Sequence, residues 1–98
     1  MSWPLKIVRI KGHSMLPLIK DGQLFFINQW AYLLRGPATG DVIVFQNPAN
    51  KTQRLCKRVA AVQGDYLTLL GDNSLDSLDS RSLGQIALKN VIGRVIEW

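Results

Sequence analysis

Short runs of β-branched and aromatic residues, separated by glycine–aspartate turns, follow one another along this chain. Turn-forming pairs occur at residues 21–22, 40–41 and 64–65. Periodic helical patterning is weak, and residues 29–34 are the only candidate for a short turn of helix. The pattern is typical of an all-β domain. We predict six strands, at residues 5–10, 23–28, 41–46, 53–62, 66–70 and 91–97.

The length and composition favour one compact globular unit. A chain of 98 residues with 47% hydrophobic and 19% charged residues has enough apolar surface for one core. We therefore predict a single domain over residues 1–98, mostly β, built as a compact folded sheet or small barrel. The net charge is +5, but the basic residues are dispersed rather than clustered. This dispersion indicates a solvated surface and no nucleic-acid partner.

Cysteine and histidine are too scarce for structural bridges or metal sites. The chain has one of each, which excludes an internal disulfide and argues against a bound metal or other cofactor. The first residues lack the apolar core of a signal peptide, and no apolar run approaches the roughly 20 residues of a membrane span. We therefore predict a cytoplasmic location.

Ser14 lies in a loop, residues 12–17, between a predicted strand and Pro17. A serine hydroxyl becomes a useful nucleophile only when a base removes its proton. His13 is a poor base for it, because adjacent residues of an extended chain point in opposite directions. The alternative is a turn serine that bonds its own backbone.

Lys57 lies on the strand predicted at residues 53–62. Strand alternation places it on one face with Leu55, Val59 and Ala61. Burial among apolar neighbours lowers the pKa of an amine, and a change from about 10.4 to about 8 corresponds to roughly 3 kcal/mol. Such a lysine can act as a base. The alternative is a lysine that extends to solvent at a sheet edge.

A turn-rich segment, residues 71–81, combines carboxylates, hydroxyls and an arginine. Charge-assisted hydrogen bonds can hold such a loop in place, and one of its hydroxyls could orient a lysine amine. The alternatives are a polar surface turn or a calcium loop, and the acidic spacing of a calcium loop is absent. The polar residues of the segment are Asp72, Asn73, Asp76, Ser77, Asp79, Ser80 and Arg81.

Taken together, these segments resemble the type I signal peptidase family of Ser–Lys endopeptidases. Four ordered boxes carry the resemblance, which runs from about residue 10 to residue 98. They are residues 14–17, 40–45, 57–65 and 71–81. The sequence departs from the family at Gly12, where many bacterial members carry a serine that completes the oxyanion hole, and this leaves the second oxyanion donor open.

The resemblance implies a role for each matched residue. Ser14 attacks the scissile carbonyl and Lys57 is the general base. The substrate is a precursor protein bound as an extended strand, with no cofactor, and Met15, Leu16 and Leu55 are candidate substrate-binding residues. The supporting residues implied are Ser77, Asp79, Arg81, Asp72 and Arg58.

Three functions remain open. Short, anchor-free members of the superfamily include maturation proteases that remove a propeptide from nickel-type superoxide dismutase, and this is the leading prediction. The second is a signal peptidase catalytic domain without its membrane anchor, which would be membrane-associated. The third is a non-enzymatic β-barrel that binds nucleic acid. An apolar group could meet a membrane, substrate or the core; it consists of Trp30, Tyr32, Leu33 and Leu34.

Overall fold

The computed structural model describes residues 5–9, 22, 24–32, 35–71 and 84–96. Within these residues the regular structure is seven strands and a 3₁₀ helix at Leu88–Asn90. The strands are β1 Leu5–Arg9, β2 Leu24–Asn28, β3 Val42–Asn47, β4 Asn50–Gln63, β5 Tyr66–Leu70, β6 Ile86–Ala87 and β7 Val91–Val95. They form one antiparallel sheet in the order β1-β2-β7-β3-β4-β5-β6. The predicted mostly-β fold is confirmed.

β3 is the central strand of the core. Its residues Val42–Phe45 are all buried, so both faces of the strand are covered. Alternate side chains enter two hydrophobic clusters, because successive residues of a strand point to opposite faces. The first cluster contains Phe25, Ile27, Val42, Val44, Cys56 and Val95. The second cluster contains Ile43, Phe45, Val59, Leu67, Leu69 and Ile86.

A bulge in β4 corrects one prediction about its faces. Val59 stands opposite Leu69, but the next pair is Ala61 opposite Thr68, so Ala60 is an extra residue. Residues beyond a bulge change faces relative to strict alternation. Leu55, Lys57 and Val59 share a face as predicted, whereas the assignment of Ala61 to that face is wrong.

The six predicted strands are present, and the one predicted at residues 66–70 has the predicted bounds. β4 is longer than predicted and β7 ends at Val95. β6 was not predicted, because two residues are too short to show a strand period. Residues 29–32 form turns and no helix, and residues 33–34 lie outside the described part of the chain.

Candidate active site

Lys57 is buried in the middle of the sheet, with 2% of its surface exposed. It stands opposite Ile43 on β3, on the face of β4 that carries Val59. Both of these neighbours belong to the second cluster. Strand phasing therefore predicted the inward position of Lys57 correctly, and the alternative of a lysine extended to solvent is wrong. A buried amine is unusual, since burial favours its neutral form over the charged one.

The turn before β3 is attached to β4 immediately beyond Lys57. Gly40 N donates to Val59 O at 2.8 Å, and Val59 N donates to Asp41 O at 2.8 Å. The Arg58 guanidinium adds a third bond from Nη1 to Gly40 O, at 2.7 Å. The family resemblance implies that Arg58 braces the site together with Asp72, which lies outside the described residues. In the part of the chain that is described, Arg58 supports the Gly40–Asp41 turn.

Asp41 and Tyr32 form a hydrogen-bonded pair that the sequence did not predict. Tyr32 Oη donates to Asp41 Oδ2 at 2.8 Å, and Ala38 N donates to the same oxygen at 3.1 Å. Burial of Tyr32, its hydrogen bond to Asp41 and the negative charge of Asp41 raise the pKa of Tyr32 well above its ordinary value. The positive charges of Arg94 and Arg35 oppose this rise. The sequence signal for this pair was an aspartate beside a turn glycine, at Asp41. That signal does not identify the partner, Tyr32, which is nine residues away along the chain.

The remaining predicted site residues divide into described and undescribed positions. Leu55 is partly buried and packs against the second cluster. Cys56 is buried and packs in the first cluster. Ser14, the predicted partner of Lys57 in the dyad, lies outside the described residues, so its proximity to Lys57 stays a prediction. The other predicted site residues outside the described part are Met15, Leu16, Asp72, Ser77, Asp79 and Arg81.

An apolar surface, here called the β1–β2 strip, lies on the exposed face of the first two strands. Ile7 stands opposite Phe26 across the ladder, and these side chains with Leu24 border a groove of about 400 Å³. Of the predicted apolar group at residues 30–34, Tyr32 packs against the second cluster and Trp30 is exposed, while residues 33–34 lie outside the described part of the chain. The strip consists of Leu5, Ile7, Leu24, Phe26 and the adjacent Trp30, each 45–58% exposed.

Comparison with known proteins gives one family. The family model described as "Signal peptidase, peptidase S26" matches residues 2–69, more than half of the chain. The chain is 27% identical over 109 positions to mitochondrial inner membrane protease subunit 1 of Homo sapiens, covering 91% of this chain and 66% of that protein. It is also 27% identical over 110 positions to subunit 2 of Danio rerio, covering 90% and 60% respectively.

A bacterial relative is similar over a shorter region. Signal peptidase IB of Staphylococcus aureus is 41% identical over 63 residues, which are 64% of this chain and 32% of that protein. The chain thus spans about two thirds or less of the length of these relatives. In the described residues, no helix has the length and apolar character needed to cross a membrane.

Proposed function

Because the chain belongs to the signal peptidase S26 family, we propose that it is a serine endopeptidase with a Ser14–Lys57 dyad. The burial of Lys57 on an apolar face opposite Ile43 carries this proposal. A lysine held in this way lacks the water that stabilises its charge, so its neutral amine is available to accept a proton near neutral pH. That property is what a general base for a serine nucleophile requires.

The proposed reaction has two steps. Ser14 Oγ attacks the carbonyl carbon of the substrate while Lys57 Nζ takes the hydroxyl proton, and the Ser14 N–H donates to the oxyanion. The protonated amine then gives its proton to the leaving nitrogen, the C–N bond breaks and an acyl-enzyme forms. Water then attacks the ester carbon while Lys57 Nζ takes its proton; the bond from the acyl carbon to Ser14 Oγ breaks, Lys57 returns the proton to Ser14 Oγ, and the carboxyl product leaves. One oxyanion donor of this kind is typically worth on the order of 3 kcal/mol in the transition state.

Supporting and binding roles follow the family resemblance. Ser77 orients the Lys57 amine in this proposal, and Asp79 with Arg81 braces the loop that carries Ser77. The substrate lies as an extended strand, so main-chain hydrogen bonds supply affinity and small pockets supply specificity. Leu55, partly buried beside the second cluster, fits a pocket wall. Met15 and Leu16 are the proposed partners of Leu55 in binding.

The proposed substrate is the precursor of nickel-type superoxide dismutase, processed in the cytoplasm. The motivation is the compactness of the catalytic boxes, in which only five residues separate the predicted base box at residue 65 from the last box at residue 71. A minimal catalytic domain of this kind suits removal of a short propeptide from a soluble precursor.

The test is cleavage of that precursor by purified protein, followed by mass spectrometry of the product's N-terminus. We expect the wild type to cut one bond and Ser14→Ala to leave the precursor intact. The proposed substrate is wrong if the active wild type, which cleaves other peptides, leaves this precursor uncut.

A second candidate is leader-peptide processing at a membrane surface. The β1–β2 strip favours it, since contiguous exposed apolar side chains often mark membrane or protein contacts. The three relatives reported above also carry names that refer to a membrane or to signal peptides. Co-sedimentation with phospholipid vesicles separates the two candidates: a protein that stays in the supernatant and cleaves the dismutase precursor favours the first.

A further inference from the structure

Asp41 joins three parts of the chain at one carboxylate. Its Oδ2 accepts the Tyr32 hydroxyl and the Ala38 amide, while its own N donates to Ala38 O at 3.0 Å. The turn at residues 38–41 is therefore closed from both sides. Because the acceptor is a carboxylate, these hydrogen bonds are stronger than bonds between neutral groups.

The same turn forms a bulge against β4 beside Lys57. Gly40 and Asp41 together oppose the single residue Val59, through the two backbone bonds given above. Gly40 has a φ of +96°, the left-handed conformation that glycine adopts at the first position of such a bulge. The bulge extends the β3–β4 ladder past the Val42–Arg58 pair and fixes the two residues that follow Lys57.

Tyr32 connects this turn to the face that carries Lys57. Its ring packs against the second cluster, whose members Ile43 and Val59 flank the lysine. Its raised pKa keeps the hydroxyl protonated, and so a donor, across the ordinary pH range. One side chain therefore contacts both the core beside Lys57 and the carboxylate that closes the bulge.

We propose that Tyr32 and Asp41 are a positioning pair that holds the Gly40–Asp41 bulge against Val59 and keeps Lys57 buried beside Ile43. This inference rests on the proposed role of Lys57 as general base. Neither residue of the pair is assigned contact with the scissile bond. The pair acts through the solvent exposure of the lysine.

Charged residues near Lys57 also influence its pKa, so the test of the positioning pair has to leave them in place. Arg94 on β7 stands opposite Ile43, in the same row of the sheet as Lys57. Arg58 and Asp41 lie in the rows that follow, Arg58 opposite Val42 and Asp41 opposite Val59. Tyr32→Phe removes one hydroxyl, and with it a hydrogen bond to Asp41, but it changes none of these charges. A change in Lys57 titration in this variant therefore reports its solvation.

The experiment measures Lys57 directly and through catalysis. The lysine ¹³Cε shifts of labelled protein are followed from pH 6 to 11, with Lys57→Met used to assign the signal, and kcat/KM is measured over the same range with a peptide substrate. In Tyr32→Phe we expect the Lys57 pKa to rise by about one unit, which lowers kcat/KM near pH 7 about tenfold. The rate recovers at alkaline pH, as a purely structural defect would not.

Two further variants complete the design. Tyr66→Phe removes the hydroxyl of a tyrosine that is 52% exposed on β5, and we expect it to match the wild type. Asp41→Asn keeps an acceptor oxygen and weakens the hydrogen bonds that close the turn. Loss of its negative charge lowers the Lys57 pKa and so opposes the effect of solvation, and we therefore expect a smaller rise than in Tyr32→Phe. Asp41→Asn also gives the answer if Tyr32→Phe does not fold.

The outcomes separate this inference from the proposed function. If the wild type is active and both Tyr32→Phe and Asp41→Asn keep its Lys57 titration and pH profile, the positioning pair is overturned while the dyad stands. If the wild type cleaves no peptide but Tyr32→Phe still shifts the Lys57 titration, the pair is supported and the proposed peptidase activity fails.

Discussion

Lys57→Met is expected to abolish peptide cleavage while the protein remains folded. Loss of a general base typically costs about 10²–10⁴-fold in rate. Methionine has a similar length and no charge, so it fits an apolar face where lysine is 2% exposed.

The difference in free energy of unfolding between the wild type and Lys57→Met depends on pH, and the sign of this dependence can be derived. If burial lowers the pKa of Lys57 in the folded state, the unfolded chain binds more protons below the ordinary lysine pKa of about 10.4. Wild-type stability then rises with pH between the lowered pKa and about 10.4. Lys57→Met lacks this contribution, so its free energy of unfolding falls relative to that of the wild type as the pH rises through that window.

The measurements are kcat/KM and the free energy of unfolding in denaturant at several pH values. Lys51→Met is the matched control, because Lys51 lies on the same strand with its side chain exposed. We expect the control to keep its activity. Substantial cleavage by Lys57→Met, or an equal loss in Lys51→Met, contradicts the assignment of Lys57 as the base.

Phe45→Ala is expected to lower the free energy of unfolding by about 3–5 kcal/mol. Phe45 is fully buried at the centre of β3, in register with Leu55 on β4 and Val91 on β7. Truncating it removes apolar contacts and leaves a cavity that neighbouring strands fill only in part. The whole free energy of unfolding of a small domain is about 5–15 kcal/mol, so this variant loses a large share of its stability.

Phe26→Ala is the control for this prediction. Phe26 lies on the β1–β2 strip and is 49% exposed, so the same truncation removes much less buried surface. We expect Phe26→Ala to lower the free energy of unfolding by no more than about 1 kcal/mol relative to the wild type. Denaturant unfolding of the two variants compares core with strip, and equal losses would contradict the assignment of Phe45 to the core and Phe26 to the surface.

The strands were predictable where each residue's environment follows from local pattern. The strand predicted at residues 41–46 is present as Val42–Asn47, and its apolar residues Val42–Phe45 are all buried. Alternation on β4 placed Lys57 inward correctly. It failed at Ala61, because the bulge at Ala60 depends on pairing with β5 and leaves no mark in the sequence of β4. β6 is defined by its partner strand in the same way.

The candidate site was predictable in its residue types more than in its contacts. The need of a serine for a base, and of a lysine for burial, singled out Ser14 and Lys57. The pairing of Tyr32 with Asp41 depends on the path of the intervening turn and on packing against distant strands, so local patterns did not reveal it. Arg58 was predicted as a supporting residue, but its described partner, Gly40, comes from tertiary structure.

The pH dependence of kcat/KM tests the Ser14–Lys57 dyad most directly, since it reports the pKa of the essential base in the free enzyme. The proposal predicts a rate that rises with pH and levels off at a pKa clearly below the ordinary lysine value of about 10.4. A rate independent of pH from neutral to strongly alkaline conditions contradicts it, as does a rise centred on that ordinary value.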